Sequence, residues 1–486
     1  MKKVKQKVGQ FIQRVVDWGM GNGLMQEELS ATGTDMVTAE MAAMARRAGA
    51  ESCVLLKNDG TLPLKNGQGV AVFGRCQLDW FYVGYGSGGD VNPPYRVDLM
   101  EGLKKSGVSV DQIVADTYSS WCNSEDNKAD HGWWGHWPMS HPEMPLEHGF
   151  VRDAAKRCDT ALVVIGRAAG EDRENTLTKG SYYLTDAEKA MLDIVTEAFA
   201  HTVVVLNIGS IMDMAWVDHY GEKLSTILIA WQGGMESGNA VADVLTGKVN
   251  PCGKLTDTIA KCYEDYPSST NFGGEKFNCY AEDIFVGYRY FETFAKDKVL
   301  YPFGFGLSYT SFESKAVSFE QAEGAYTVTA SVTNTGSCPG REVVMLWCGA
   351  PQGKLGKAEK ILVAFGKTKL LGPGEMDTVK LSFGEKCIAS FDDTGKTGFA
   401  NAFVLEAGEY RFFLGGEQIG SITVDKSKLV EQCESVCNVT EPFARMTAKE
   451  ESGKIVPGEE MLISGTVNLR QRILDRLPDG IPVTGD

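Results

Sequence analysis

The 486-residue chain has no run of about 18 apolar residues, so no segment reads as a membrane-spanning helix. It also lacks an export signal. MKKVKQK carries the charge of a signal-peptide start, but the polar breaks in GQFIQRVVDWGMGNG leave no apolar segment behind it. Residues 1–25 have instead the pattern of an amphipathic surface helix. The 12 cysteines include no C-x-x-C pair, which removes zinc-ribbon and dithiol redox readings. Without a secretory leader they read as reduced thiols of a cytoplasmic protein. Positive charge is scarce: 48 Lys and Arg face 64 Asp and Glu, a net charge of −16. That balance repels phosphates and anionic lipid, so neither a nucleic acid nor a membrane is an expected partner.

What is present is the composition of a folded protein, with 43% apolar, 10% aromatic and 23% charged residues. The length suits about three domains of about 150 residues each. Between about 35 and 312, GVAVFG (69–74), TALVVIG (160–166), TVVVLNIG (202–209) and STILIAW (225–231) are continuous apolar runs, the pattern of parallel strands buried on both faces. A helix is predicted between the second and third runs. Thr185 and Glu188 have capping-box spacing, and Ala187, Ala190, Met191, Ile194, Val195 and Ala198 recur at steps of three and four. Strand, helix and strand in such close order imply an open, doubly wound α/β sandwich.

The period changes to two after residue 312. Tyr326, Val328, Ala330 and Val332 alternate with Thr327, Thr329, Ser331 and Thr333. EVVMLWCG (342–349), DTVKLSF (377–383) and EYRFFLGG (409–416) follow between turn-forming residues, which predicts a small antiparallel β-sandwich over 313–426. Residues 1–34 read as an extension and 427–486, with TAKEESGK and the closing LPDGIPVTGD, as a linker.

Three segments offer chemistry. GYGSGG places Gly84, Gly86 and Gly89 in a dinucleotide-binding pattern, but the preceding strand run ends ten residues earlier and Pro93 and Pro94 block a helix behind it. A tight surface loop, or a loop lining a polar ligand, fits better. HGWWGHWPMSHPEMPLE gathers His131, His136 and His141 with Trp133, Trp134 and Trp137. The spacing across Gly and Pro does not suit a metal, so no metal is expected. The indoles suit either a sugar ring or simple anchoring of the loop to the core. GEDREN (170–175) begins just beyond TALVVIG, where ligands gather in open α/β sheets, so Glu171 and Asp172 stand where catalytic groups usually stand. Asp172 and Glu174 push the Glu171 pKa up and Arg173 pulls it down. A solvated charged loop remains the alternative.

GAESCVLLKNDGTLPL (49–64), YVGYGSGGDVNPPY (82–95), GRAAGEDREN (166–175), WQGGMESGNAVADVLTGKVNPCGKL (231–255), YAEDIFVGYRYFETF (280–294) and YPFGFGLSYTSF (301–312) together resemble glycoside hydrolase family 3, over about 40–425 and in family order. The resemblance implies an α/β sandwich over 35–312 that supplies the acid/base glutamate, here Glu171, followed by a fibronectin-III-like β-sandwich. In the family an Asp nucleophile comes from a (β/α)8 barrel, which usually precedes the sandwich and in permuted members follows the β domain. No eight-fold βα repeat or nucleophile motif occurs in this chain, and SGTVNLRQRILDRLPDGIPVTGD looks like the lead-in to a barrel.

The expectation is therefore a truncated part of a retaining β-glucosidase-type hydrolase of small β-glycosides, inactive alone and without a cofactor. Glu171 is its catalytic acid/base. Tyr85, Ser87, Asp90, Trp134 and His136 shape the aglycone side of its pocket. The alternatives are a non-catalytic two-domain fragment or carbohydrate-binding module, and complementation by a barrel on another chain.

Overall fold

The computed structural model describes residues 37–86, 91, 93–130, 132, 136–171, 175–273, 278–322, 324–435, 439 and 442–462. The predicted N-terminal helix over 1–25 lies outside them. The chain divides into two compact units. The first holds the residues up to Ile259 with Leu300–Ser311 and Asn334–Arg341; the second holds Ala260–Val299, Phe312–Thr333 and the residues from Glu342 onward.

The first unit is the expected α/β sandwich. Its six strands are β1 (Val54–Asn58), β2 (Gly69–Phe73), β3 (Ser109–Val110), β4 (Thr160–Arg167), β5 (His201–Ile208) and β6 (Thr226–Ile229), ordered β1-β6-β5-β4-β2-β3. All neighbours are parallel except β1, which runs antiparallel to β6. That edge strand and the two-residue β3 were absent from the sequence reading, because VLLKN is short and ends in polar residues.

The apolar runs are buried on both faces, as their continuity predicts. Ala161, Val163 and Ile165 of β4 enter one core, and Leu162 and Val164 enter the other. Helices α1 (Ala39–Ser52), α2 (Leu99–Lys105) and α7 (Ser237–Leu245) cover the second core through Ala50, Leu103 and Val244. Helices α3 (Gln112–Cys122), α4 (His148–Ala155) and α5 (Asp186–Ala198) cover the first through Tyr118, Val151 and Leu192. A short helix α6 (Trp216–Tyr220) closes that face. Helix α5 starts where the sequence places it: Thr185 accepts from Glu188 N–H at 3.1 Å, and Glu188 accepts from Thr185 N–H at 2.8 Å.

The second unit is antiparallel. Strands β7 (Phe312–Ala322), β8 (Ala325–Asn334) and β11 (Met376–Gly384) form one sheet, with β8 central; β9 (Val343–Gly349), β10 (Ile361–Lys367), β14 (Gly408–Leu414) and β15 (Glu417–Val424) form another. Their shared core contains Tyr326, Val328, Ala330 and Val332, the residues whose alternation predicted a strand with one buried face. Strands β12 (Ser390–Asp392), β13 (Ala402–Leu405) and β16 (Lys428–Gln432) make a third small sheet. In the stretch read as a linker, β17 (Phe443–Glu451) and β18 (Lys454–Leu462) form a hairpin as well. Its charged residues concealed the alternation. Part of the stretch assigned to the α/β domain, 260–299, belongs to this unit: Phe285, Ala358 and Ala448 share a small core, and Arg445 pairs with Asp283 at 2.9 Å and Asp393 at 2.5 Å.

Candidate active site

The carboxyl ends of β2, β4, β5 and β6 lie side by side, and the loops leaving them build one platform within the α/β unit. Glu171 stands on the loop after β4, with its side chain exposed. Its backbone N–H donates to the Tyr85 carbonyl at 3.1 Å, and Tyr85 N–H donates to the Ala169 carbonyl at 2.7 Å. These two bonds make a parallel bridge between loop 81–86 and loop 168–171.

The approach is close enough to require glycine. Gly86 has φ of 101°, and a Cβ there would lie 2.4 Å from the Cβ of Glu171; a Cβ on Gly170 would lie 2.8 Å from that of Tyr85. Two glycines of GYGSGG and its partner loop thus serve backbone docking. Its last three residues, Ser87 to Gly89, and Asp90 behind them lie outside the described residues. The strand before the motif ends at Phe73 and the next helix begins at Leu99, which is not the strand-to-helix turn of a dinucleotide site.

Of the residues assigned to the pocket, Glu171, Tyr85 and His136 are described, whereas Ser87, Asp90 and Trp134 are not. Tyr85 faces inward: its ring stacks on buried Trp137, with centroids 5.5 Å apart and planes at 5°. Phe81 stacks on His141 at 5.1 Å. At Trp137 and His141 the His/Trp segment is therefore anchored by its rings, the plainer of its two readings. His136 is exposed beside Trp137. The acids and arginine invoked to tune Glu171, Asp172 to Glu174, lie outside the described residues.

Two residues that sequence reasoning missed hold this platform. Asn207, the fully buried amide near the end of β5, accepts from Phe81 N–H at 2.7 Å. It donates to the Phe81 carbonyl at 2.8 Å and to the Trp231 carbonyl at 2.7 Å. One side chain thereby fixes the segment leading to Tyr85 against the end of β6. Arg167, the last residue of β4, is 1% exposed and forms a bidentate pair with Glu188 at 2.6 and 2.7 Å. It also donates to the carbonyls of Gly166, Ser181 and Tyr183. Asn175 completes the anchoring by donating to Ser210 Oγ at 2.9 Å and the Ile211 carbonyl at 3.1 Å. The available signal was a lone polar residue ending an otherwise apolar strand.

Beside the platform, Glu143 accepts from Arg75 N–H at 2.8 Å and Met144 N–H at 2.7 Å. Burial outweighs those bonds and pushes its carboxyl up to about 7. Arg75, itself buried, pairs with Asp79 at 2.6 Å and lies over the Trp121 ring at 5.2 Å.

The α/β unit thus presents a carboxyl side chain from a braced loop at its strand ends, and an antiparallel β unit follows it in the chain. Residues 53–309 match the glycosyl hydrolase family 3 C-terminal domain, and 342–418 match the fibronectin type III-like domain. The chain belongs to glycosyl hydrolase family 3. It is 43% identical over 442 residues to a β-glucosidase of Ruminococcus albus, covering 90% of this chain and 46% of that protein. It is 42% identical to β-glucosidase A of Butyrivibrio fibrisolvens, covering 76% of this chain and 48% of the relative. The crystal structure of a β-glucosidase from Paenibacillus barengoltzii superposes with a TM-score of 0.87 at 42% identity, over 92% of this chain and 51% of the other. β-Glucosidase 3B of Thermotoga neapolitana, solved in complex with α-D-glucose, gives 0.72 at 35% identity, over 81% and 55%. The chain spans about half the length of the curated relatives it matches.

Proposed function

We propose that this chain supplies the acid/base half of a retaining β-glucosidase, with Glu171 as the acid/base. The observation that carries the reading is the placement of an exposed carboxyl on a loop braced from three neighbouring strand ends, in a chain similar to β-glucosidases. In the first step Glu171 gives its proton to the glycosidic oxygen as the bond to the anomeric carbon breaks, and a carboxylate about 5–5.5 Å away captures that carbon as a glycosyl ester. In the second, Glu171 takes a proton from the water that displaces the ester. The nucleophilic Asp comes from a (β/α)8 barrel, so the 486 residues alone are inactive. We assign loops 84–95 and 131–143, with Tyr85, Ser87, Asp90, Trp134 and His136, to the aglycone side of the pocket, half-buried Tyr85 by the part of its surface that Trp137 leaves open. The substrate is a small β-glycoside, and the chemistry calls for no cofactor. We place the reaction in the cytoplasm.

The test is hydrolysis of aryl β-glucosides by the chain alone and by the chain joined to a family barrel. Activity is expected only in the second. There, Glu171→Ala slows substrates with poor leaving groups most, and azide restores the rate on activated ones. Equal loss on both substrate types, without azide rescue, rejects Glu171 as the acid/base.

A further inference from the structure

The loop that carries Glu171 also forms one wall of a separate cavity of about 430 Å³, within the range of small-molecule sites. Tyr183 comes from that loop, Lys189 from the start of α5, Asp213 from the loop after β5, and Trp216, His219 and Tyr220 from α6. The framework is built rather than incidental. Trp216 Nε1 donates to the Asp213 carbonyl at 2.9 Å, Asp213 N–H donates to the Tyr182 carbonyl at 2.9 Å, and Tyr220 Oη donates to Asp193 at 2.8 Å. Trp216 and Tyr220 are nearly buried and meet edge to face with centroids 6.4 Å apart, and the exposed His219 ring stands against Tyr220 at 5.0 Å.

Two charged groups in this cavity are incompletely used. The Asp213 carboxylate is half-buried, and its hydrogen bond from Ala215 N–H is long, at 3.4 Å. Burial raises its pKa, against that bond and the nearby Lys189 charge. Asp213 is partly withdrawn from water with few protein partners and Lys189 stands exposed, so both keep hydrogen-bonding capacity open, a carboxylate having about four acceptor positions and an ammonium three donors. The two neighbouring charges, Lys179 and Asp193, are already engaged with Asp186 and Tyr220. An aromatic floor flanked by an acceptor-only and a donor-only group suits a neutral ring with apolar faces and adjacent hydroxyls, because hydroxyls both donate and accept.

We propose that this cavity is a second saccharide site, distinct from the surface around Glu171, which holds one pyranose ring of an oligosaccharide between Asp213 and Lys189. The choice of ligand rests on the β-glycosidase reading.

Calorimetric titration of the 486-residue chain with cellobiose tests it. Binding at millimolar concentration is expected, and Asp213→Ala weakens it by about tenfold, the loss of one hydrogen bond to a charged group. Asp213→Asn, which keeps an acceptor for Ala215 N–H, serves where the alanine variant fails to fold. Glu171→Gln binds cellobiose as the parent does. No binding, unchanged affinity in a folded Asp213 variant, or loss of binding in Glu171→Gln overturns the second site. Those outcomes leave the acid/base role standing, since that role is read from hydrolysis in the barrel-containing protein; failed azide rescue rejects the role without touching the calorimetry.

Discussion

Arg167→Met is the most informative single change outside the proposed chemistry. The guanidinium it removes is 1% exposed and makes two bonds to Glu188 and one each to the carbonyls of Gly166, Ser181 and Tyr183. Glu188 is then left buried, its charge facing only the Thr185 N–H. Breaking one side of a buried pair in this way destabilises by about 3–5 kcal/mol. Set against a total of roughly 5–15 kcal/mol for a folded domain, that loss is large. Replacing both partners with methionine removes the stranded charge, so the double variant should be more stable than the sum of the single losses implies, by about 2 kcal/mol. Three carbonyls and one cap N–H still lose partners, and the double variant therefore remains below the parent. Urea unfolding followed by tryptophan fluorescence is the assay, because Trp80, Trp121, Trp137, Trp216 and Trp231 all lie in the α/β unit. A loss under about 1 kcal/mol in Arg167→Met, or strict additivity in the double variant, would refute the claim that this pair holds the strand end.

Glu143 gives the α/β unit a pH dependence. Its carboxyl moves from 4.5 to about 7 on folding, so the folded state retains the proton longer than the unfolded one. Its contribution is full below 4.5 and declines as pH rises through 7, a change of about 3 kcal/mol. Glu143→Gln should flatten that part of the stability curve, measured by urea midpoints between those pH values; an unchanged slope rejects the assignment. At Gly86, alanine introduces a Cβ 2.4 Å from that of Glu171 at φ of 101°. Strain of about 1–3 kcal/mol is expected. In the barrel-containing enzyme hydrolysis should fall, while equal stability and activity would show that loop 81–86 does not set the position of Glu171.

The buried strands were legible because β4 and β5 are apolar on both faces, and helix α5 because Thr185 and Glu188 stand at cap spacing. Glu171 was singled out by its place after a central strand and by family resemblance, and the structure puts it on the loop after β4. What escaped the sequence shares a physical cause. β1 ends in Lys57 and Asn58, whose side chains reach the Gly221 and Leu62 carbonyls, contacts that no local periodicity records. In β17, Lys449, Glu450 and Glu451 obscure an alternating strand held by its hairpin partner. Residues 260–299 were assigned to the α/β domain together with the family motif YAEDIFVGYRYFETF, while the packing of Phe285 with Ala358 and Ala448, far along the chain, groups them with the β unit. Asn207 looked like the end of an apolar run, since its partners, Phe81 and Trp231, are far away in sequence.

Those distant partners explain how an exposed glutamate can have a defined position. One hydrogen bond contributes about 1 kcal/mol net, no more than the conformational entropy of fixing a single residue, about 1–2 kcal/mol. The bond from Glu171 N–H to Tyr85 therefore cannot order its loop unaided. Ala168 N–H is tied to the Met139 carbonyl at 2.8 Å on one side, and Asn175 is tied to the segment after β5 on the other. Tyr85 is held in turn by Trp137 and by the Phe81 backbone clamped to Asn207. Displacing Glu171 requires breaking the buried bonds of Asn207 and Ala168 and the partly buried ones of Asn175, and a buried bond costs more to lose than the surface bond it supports. The position of Glu171 is thus set from the ends of β4, β5 and β6, while its side chain keeps the exposure that the proposed proton transfer requires.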